Sequence, residues 1–287
     1  MTKGVILAAG KGSRLLPITT YINKHLLPVN DKPMIFYPLS ILMLAGIKDI
    51  LIIVNPGDIK SYVSLLGNGK KLGINIEYKT QLKPNGIAEA LNISRSFVKK
   101  DNFFLILGDN FFYGQYLQKF LKDAQINKNK ATLFAYPVQN TKEYGIVTLK
   151  GNKIKKIIEK PKKTKSNLAV TGLYYYPNEV MKIYDKLKPS KRGELEITDI
   201  NNILIKKNKV KLSIFGRGFA WLDMGTFENI LETGLFIQTI EKRQGFKVGV
   251  LEEIAFKLKF IKSSQLKKLV SKNINFNKYI KKILDSK

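Results

Sequence analysis

The chain has 287 residues, 44% of them hydrophobic, enough to bury a substantial core in one large domain or two closely joined ones. It has no cysteine and one histidine, His25, which excludes disulfides, thiolate metal sites, cysteine nucleophiles and multi-histidine cages within one chain, so any metal chemistry must rest on carboxylates. The formal charge is +28, but the lysines are scattered and often sit beside asparagine (Asn127-Lys128-Asn129-Lys130, Lys206-Lys207-Asn208-Lys209), a pattern of solvated faces rather than of one nucleic-acid groove.

The first apolar run, Gly4-Val5-Ile6-Leu7, follows the N-terminus directly, without a signal-peptide layout, and no run of about 18 apolar residues occurs later. A cytoplasmic protein with no membrane partner is expected. Residues 33–44 predict a helix opened by Pro33 and closed at Gly46, with Pro38 kinking it or delaying its start. Further apolar runs follow at Ile50-Leu51-Ile52-Ile53-Val54, Phe103-Phe104-Leu105-Ile106-Leu107 and Ala131-Thr132-Leu133-Phe134-Ala135-Tyr136, with helical patterns at 58–66, 87–97 and 115–124 between them. Strands that are apolar throughout are buried on both faces. The alternation therefore predicts an α/β fold: a doubly wound, mostly parallel, Rossmann-like mixed sheet with helices on both faces.

From Tyr144 onward the strands shorten. Gly145-Ile146-Val147-Thr148-Leu149, the turn Lys150-Gly151-Asn152-Lys153 and the run 154–158 read as a hairpin, so antiparallel strands extend or cap the sheet. Helices are predicted at 178–186 and 196–207, a strand at 210–215, and a long helix at 226–243 with Thr226 as N-cap. The tail 263–284 places Leu266, Leu269, Val270, Ile280, Ile283 and Leu284 at helical spacing, a small helical appendix.

The first chemistry-bearing segment is Leu7-Ala8-Ala9-Gly10-Lys11-Gly12-Ser13-Arg14, at the carboxyl end of the first strand. Small residues there let backbone N–H groups wrap an anion, and the arginine adds a planar donor fork. It is neither a Walker loop, which needs Gly-Lys followed by Ser or Thr, nor the dinucleotide fingerprint, which needs a third glycine. Taken alone it is equally a glycine turn with a surface arginine. By themselves, Asp109 after a strand reads as a helix cap before it reads as a ligand, and Glu159-Lys160 reads as an exposed charged pair.

Further segments follow in order: Lys24-His25-Leu26-Leu27-Pro28-Val29, Asp31-Lys32-Pro33-Met34-Ile35, Leu107-Gly108-Asp109-Asn110, Tyr144-Gly145, Glu159-Lys160-Pro161, Val170-Thr171-Gly172-Leu173-Tyr174, Arg192-Gly193-Glu194-Leu195-Glu196-Ile197-Thr198-Asp199 and Phe219-Ala220-Trp221-Leu222-Asp223-Met224-Gly225-Thr226. Together these resemble the signature of sugar-1-phosphate nucleotidylyltransferases across nearly the whole chain. Within that superfamily the chain is most similar to bacterial glucose-1-phosphate thymidylyltransferases, through residues 33–40, 108–112, 216–223 and 241–247. It departs from their pattern at Ala9, Ser13 and His25, where glycine, threonine and glutamine are usual.

The resemblance implies transfer of dTMP from dTTP to α-D-glucose 1-phosphate, giving dTDP-glucose and pyrophosphate, the first step towards dTDP-L-rhamnose. A related enzyme using UTP or another sugar 1-phosphate is the alternative. It assigns Leu7, Ala9, Gly10, Gly12, Ser13, Arg14, Lys24, Gln81, Gly86 and Asp109 to the nucleotide, Gln81 facing the base. Asn110, Tyr144, Gly145, Glu159, Lys160, Val170 and Tyr174 fall to the sugar phosphate. Arg14, Lys24 and Lys160 are then catalytic, and Asp109 and Asp223 hold Mg²⁺. A nucleotidyltransferase core at 1–240 is implied, with a nucleotide-binding half at 1–143 and a sugar-phosphate-binding half at 144–240, followed by a C-terminal helical segment at 241–287. Also implied are a homotetramer, no nucleic-acid partner, and a second nucleotide-sugar site around 217–219 and 243–254.

Overall fold

Side chains that alternate between two buried faces set the architecture. In the computed structural model, which describes residues 1–83, 85–151, 153–190, 193–269 and 274–285, the first half runs β1 (Thr2–Ala8), β2 (Pro28–Val29), β3 (Lys32–Pro33), α1 (Phe36–Leu44), β4 (Asp49–Val54), α2 (Ile59–Leu66), β5 (Asn75–Thr80), α3 (Glu89–Val98), β6 (Asn102–Leu107), β7 (Asn110–Gly114), α4 (Leu117–Ile126) and β8 (Ala131–Pro137). The second half continues with β9 (Gly145–Lys150), β10 (Lys153–Glu159), β11 (Leu168–Tyr176), α5 (Val180–Tyr184), α6 (Ile197–Lys206), β12 (Val210–Ile214), β13 (Phe219–Asp223), α7 (Phe227–Gln244), α8 (Leu251–Lys257), α9 (Ser263–Lys268) and α10 (Ile274–Asp285). Asn152 of the hairpin turn, Arg192 of its motif, Val270 of the tail and Pro84 beside Gln81 lie outside the described residues.

Strands β5, β4, β1 and β6 pair in parallel in that order; β11 joins β6 antiparallel and leads to the β9–β10 hairpin, while β8 pairs with β11 and, in parallel, with β12. The expected α/β fold is therefore present. Ile6, Ile50, Ile52, Phe104 and Ile106 face one side, with α1, α4 and the C-terminal helices. Val5, Leu51, Ile53, Phe103 and Leu105 face the other, with α3, α5 and α6. Each large apolar side chain buried this way contributes about 1.5–3 kcal/mol.

Two local outcomes differ from the sequence reading, the Pro33 start and the unpredicted elements, while the delayed start expected from Pro38 is met. Pro33 does not open a helix: it lies in β3, and α1 begins at Phe36. Pro38 then falls in the first helical turn, where its missing N–H costs nothing, so the start is delayed without a kink. Strands β5, β7, β11 and β13 and helix α8 were not predicted. β5 carries exposed or half-buried polar residues on an outer strand, and β11 is interrupted in sequence by Thr171-Gly172.

A third apolar cluster (Val29, Met34, Tyr37, Phe111, Met224, Ile237) joins the β2–β3 hairpin, β7 and α7. Helix α7 is capped by Thr226, whose Oγ1 accepts from Asn229 N at 3.2 Å, and it runs unbroken across residue 240 to Gln244. α10 is fastened by Tyr279, whose hydroxyl donates to Glu253 Oε2 at 2.6 Å and accepts from Lys247 N at 2.9 Å.

Candidate active site

The carboxyl ends of β1 and β6 are adjacent in register, Leu7 opposite Leu107, so the residues that follow both strands emerge side by side. After β1 comes the glycine loop. Gly12 has φ 65°, a left-handed conformation that glycine adopts without steric cost, and a Cβ there would stand 2.8 Å from Thr19 Cγ2. The Lys24 stem crosses the same loop, its Cε 3.2 Å from where a Gly10 Cβ would be. After β6 comes Asp109, whose carboxylate takes a charge-assisted hydrogen bond from Lys24 Nζ.

β7 and β13 pair antiparallel with Asp223 opposite Asn110, which brings the second aspartate to the first; Met224 N donates to Asp109 O at 2.8 Å. Burial would raise the Asp109 pKa, but the Lys24 ammonium and the hydrogen bonds from Lys24 and Asn110 hold it below the usual carboxylate range. Asp223 moves the other way: burial and the Asp109 charge raise it well above that range, against the pull of Lys24 and Arg14. Asp223 Oδ1 is buried with no hydrogen-bond partner. Two converging carboxylates, one carrying an orphaned oxygen, suit a hard divalent cation that takes its other ligands from water and phosphate. Among the described residues no group of three or more His, Cys, Asp or Glu forms a metal cage, so a cation here would be only partly protein-bound.

Arg14 reaches this pair across Gly225. A Cβ on Gly225 would lie 2.3 Å from Arg14 Nη2 and 3.0 Å from Asp223 Oδ1, so the guanidinium occupies space that only glycine leaves free.

The adjoining cleft, about 440 Å³, is lined by Arg14, Asp109 and Asp223 together with Tyr144, Gly145, Glu159, Lys160, Val170 and Tyr174. Asn110 also lines it, but its Oδ1 accepts from Trp221 Nε1 (2.6 Å) and Gly172 N (3.0 Å), and its Nδ2 donates to Asp109 Oδ1 (3.0 Å). Glu159 Oε2 accepts from Thr198 Oγ1 at 2.6 Å. Lys160 has φ 41°, a conformation costing a side chain on the order of 1 kcal/mol, and its N–H is anchored to Tyr144 O at 3.0 Å.

Gln81 is buried at the end of β5; its Nε2 donates to Gly86 O and Glu89 Oε2, both at 3.4 Å. Gly86, at φ 98°, packs so that a Cβ would meet Leu195 O at 2.5 Å, and Leu195 N donates to Asn85 O at 2.8 Å, binding this segment to the second half. Gln81, Gly86, Lys24 and the predicted nucleotide-binding residues Leu7, Ala9, Gly10, Gly12 and Ser13 do not line the cleft; Leu7 lies in β1 and the others in the segments that follow β1 and β5. Sequence reasoning missed Trp221 and Thr198 as lining residues. Trp221 packs on Tyr144 with ring centroids 5.0 Å apart. That it is the only tryptophan, inside a quoted motif, was a usable signal.

A second cleft, about 860 Å³, lies between α1, α4 and residues 246–258; it includes Lys119, Lys247 and Lys257, while Arg217 does not line it. No helix among the described residues is long and apolar enough to cross a membrane.

The pattern of the family described as nucleotidyl transferase matches residues 3–240. The chain is 46% identical to a glucose-1-phosphate thymidylyltransferase of Neisseria meningitidis (serogroup A, serotype 4A), with 98% of this chain and 99% of that protein aligned. It is 47% identical to one from Xanthomonas campestris pv. campestris (strain B100), covering 97% and 95%. A crystal structure described as that of a glucose-1-phosphate thymidylyltransferase from Bacillus anthracis in complex with a sucrose superimposes with a TM-score of 0.77 at 39% identity, over 82% of this chain and 95% of that one.

Proposed function

Because the chain belongs to the nucleotidyl transferase family, among its glucose-1-phosphate thymidylyltransferases, we infer that it transfers dTMP from dTTP to α-D-glucose 1-phosphate, yielding dTDP-glucose and pyrophosphate. The observation that carries this reading is one cleft lined both by Arg14, Asp109 and Asp223 and by Glu159 and Lys160, with Lys24 bonded to Asp109. The first group suits a triphosphate and the second a sugar phosphate.

A phosphate oxygen of glucose 1-phosphate attacks the α-phosphorus of dTTP. A new P–O bond forms as the bond from the α-phosphorus to the oxygen bridging to the β-phosphate breaks, and pyrophosphate leaves with that electron pair. Since the sugar phosphate is already an anionic nucleophile, positioning and charge neutralisation carry the catalysis. Arg14 neutralises the triphosphate and the leaving pyrophosphate, Lys24 the reacting α-phosphate, and Lys160 the sugar phosphate. Glu159, oriented by Thr198, accepts sugar hydroxyls, and Gln81 meets the imide edge that thymine and uracil share. Asp109 and Asp223 would hold Mg²⁺, which supplies further neutralisation of the phosphates.

A single displacement leaves no nucleotide on the enzyme. Mass spectrometry after incubation with dTTP and Mg²⁺, without sugar phosphate, is expected to find the unmodified chain; a stable nucleotidylated species would refute direct attack.

Cytoplasmic residence and assembly as a homotetramer belong to the same reading. Self-association is supported by Phe227, Leu231 and Leu235, exposed at four-residue spacing along α7, and light scattering tests it.

A further inference from the structure

Lys24 sits in a short 3-10 turn (Lys24–Leu26) between two residues whose side chains are tied into the protein. The Lys24 ammonium lies against Asp109, and His25 is buried. The His25 ring packs so closely on Gly108 that a Cβ there would stand 2.7 Å from its Cδ2. Gly108 immediately precedes Asp109, so the turn carrying the cation and the strand end carrying the carboxylate share one contact.

Asn23 holds this turn. Its Oδ1 accepts from His25 N (2.9 Å) and the Tyr62 hydroxyl (3.0 Å) and lies 2.8 Å from His25 Nδ1. Its Nδ2 donates to Asp58 Oδ2 at 2.6 Å, an oxygen that also accepts from Asn55 Nδ2 at 2.9 Å. Asp58 stands at the N-cap of α2, where an aspartate normally accepts from the helix's own first N–H groups, yet its side chain makes no such bond. Tyr62 is fully buried. Three residues of the β4–α2 segment thus bear, directly or through one another, on the amide beside Lys24.

We propose that Asn23 is a positioning residue for the transfer reaction: clamped by Asp58 and Tyr62, it fixes the Lys24 turn to the end of β4 and so sets where Lys24 Nζ stands relative to Asp109 and the α-phosphate. The proposal deepens the reading above and rests on its assignment of Lys24. Cutting Asn23 back to alanine releases the turn, and Lys24 then spends less of its time in the productive place. Ground-state binding of dTTP changes less than turnover, because Arg14 is untouched and the one link from Asn23 to the glycine loop, Nδ2 to Ala8 O, is long at 3.5 Å. The effect therefore belongs to kcat rather than KM.

The test is a double-mutant cycle on the full chain at saturating Mg²⁺, with dTTP and glucose 1-phosphate each varied while the other saturates, comparing wild type, Asn23→Ala, Lys24→Ala and the double variant. Asn23→Ala is expected to lower kcat about 10- to 30-fold, with both KM values within about 3-fold. In the Lys24→Ala background the same substitution is expected to change kcat by less than about 2-fold, because a residue acting through Lys24 is silent once Lys24 is gone. An unchanged kcat in Asn23→Ala, or equal losses in both backgrounds, overturns the proposal; equal losses mark a role in folding alone. Full activity in Lys24→Ala removes the Lys24 assignment and the proposal with it, whereas loss there with an unaffected Asn23→Ala removes the proposal only. Should Asn23→Ala not fold, Tyr62→Phe, which deletes one hydroxyl, enters the same cycle with an expected loss of about 3-fold that again vanishes without Lys24.

Discussion

Asp109 and Asp223 differ in their hydrogen-bond partners, and that difference sets their behaviour. Lys24 satisfies Asp109; Asp223 keeps a buried oxygen without a partner. An Asp223 pKa above its unfolded value of about 4 means that the metal-free native state holds the proton more tightly than the unfolded chain does. Stability from this group therefore falls as pH rises from about 4 to the folded pKa and stays reduced above it. Asp223→Asn is expected to raise the metal-free unfolding midpoint at pH 8 by about 2–3 °C while lowering turnover at least about 100-fold. Mg²⁺ should stabilise wild type but not this variant; equal Mg²⁺ stabilisation of both would place the ion elsewhere. Gly225→Ala separates folding from function differently. Its Cβ would meet only the end of a flexible arginine and the Asp223 carboxylate, so the unfolding midpoint should stay within about 2 °C. Displacing Arg14 should raise the KM for dTTP by about 10-fold, and an unchanged KM would remove Arg14 from the triphosphate.

At the scale of elements, the site is assembled by strand ends, and the β2–β3 hairpin that follows the Lys24 turn in the chain is fastened by charge. Lys247 bridges Asp31 and Glu241, and Lys32 lies beside the same two carboxylates, joining the β2–β3 hairpin to the end of α7. Burial would raise Asp31, but the Lys247 and Lys32 hydrogen bonds and charges bring it below its usual value. A lowered carboxyl pKa adds stability that is present above about pH 4 and is lost as pH falls through the folded value. With its side chain 37% exposed, Asp31 is screened by water, so the contribution is at most about 1 kcal/mol. Asp31→Asn should lower the midpoint by about 2–3 °C at pH 7 and leave it unchanged near pH 2. A loss of equal size at both pH values would show that packing, not charge, joins the two elements. The elements legible in the sequence were those with uninterrupted apolar runs, such as β4 and β6. β7 and β13 were not, because each is stabilised by pairing with the other across more than 100 residues, a contact that no local pattern encodes.

For the whole molecule, the order of motifs along the chain carried more than any single motif. The glycine loop alone was as consistent with a plain turn as with a phosphate site; its meaning came from Lys24, Asp109, Lys160 and Asp223 following it. The sequence supplied no signal for the clamp on Asn23, or for Asn110 being engaged with Asp109, Trp221 and Gly172 at once, because both depend on contacts between segments far apart in the chain. The central claim is thymidylyl transfer to glucose 1-phosphate, and it is tested most directly by product analysis. The protein is incubated with Mg²⁺, glucose 1-phosphate and an equimolar mixture of dTTP, UTP, dCTP and ATP. dTDP-glucose and pyrophosphate are expected to form in equal amounts as the principal products. No nucleotide sugar, or UDP-glucose forming as fast as or faster than dTDP-glucose, would contradict it.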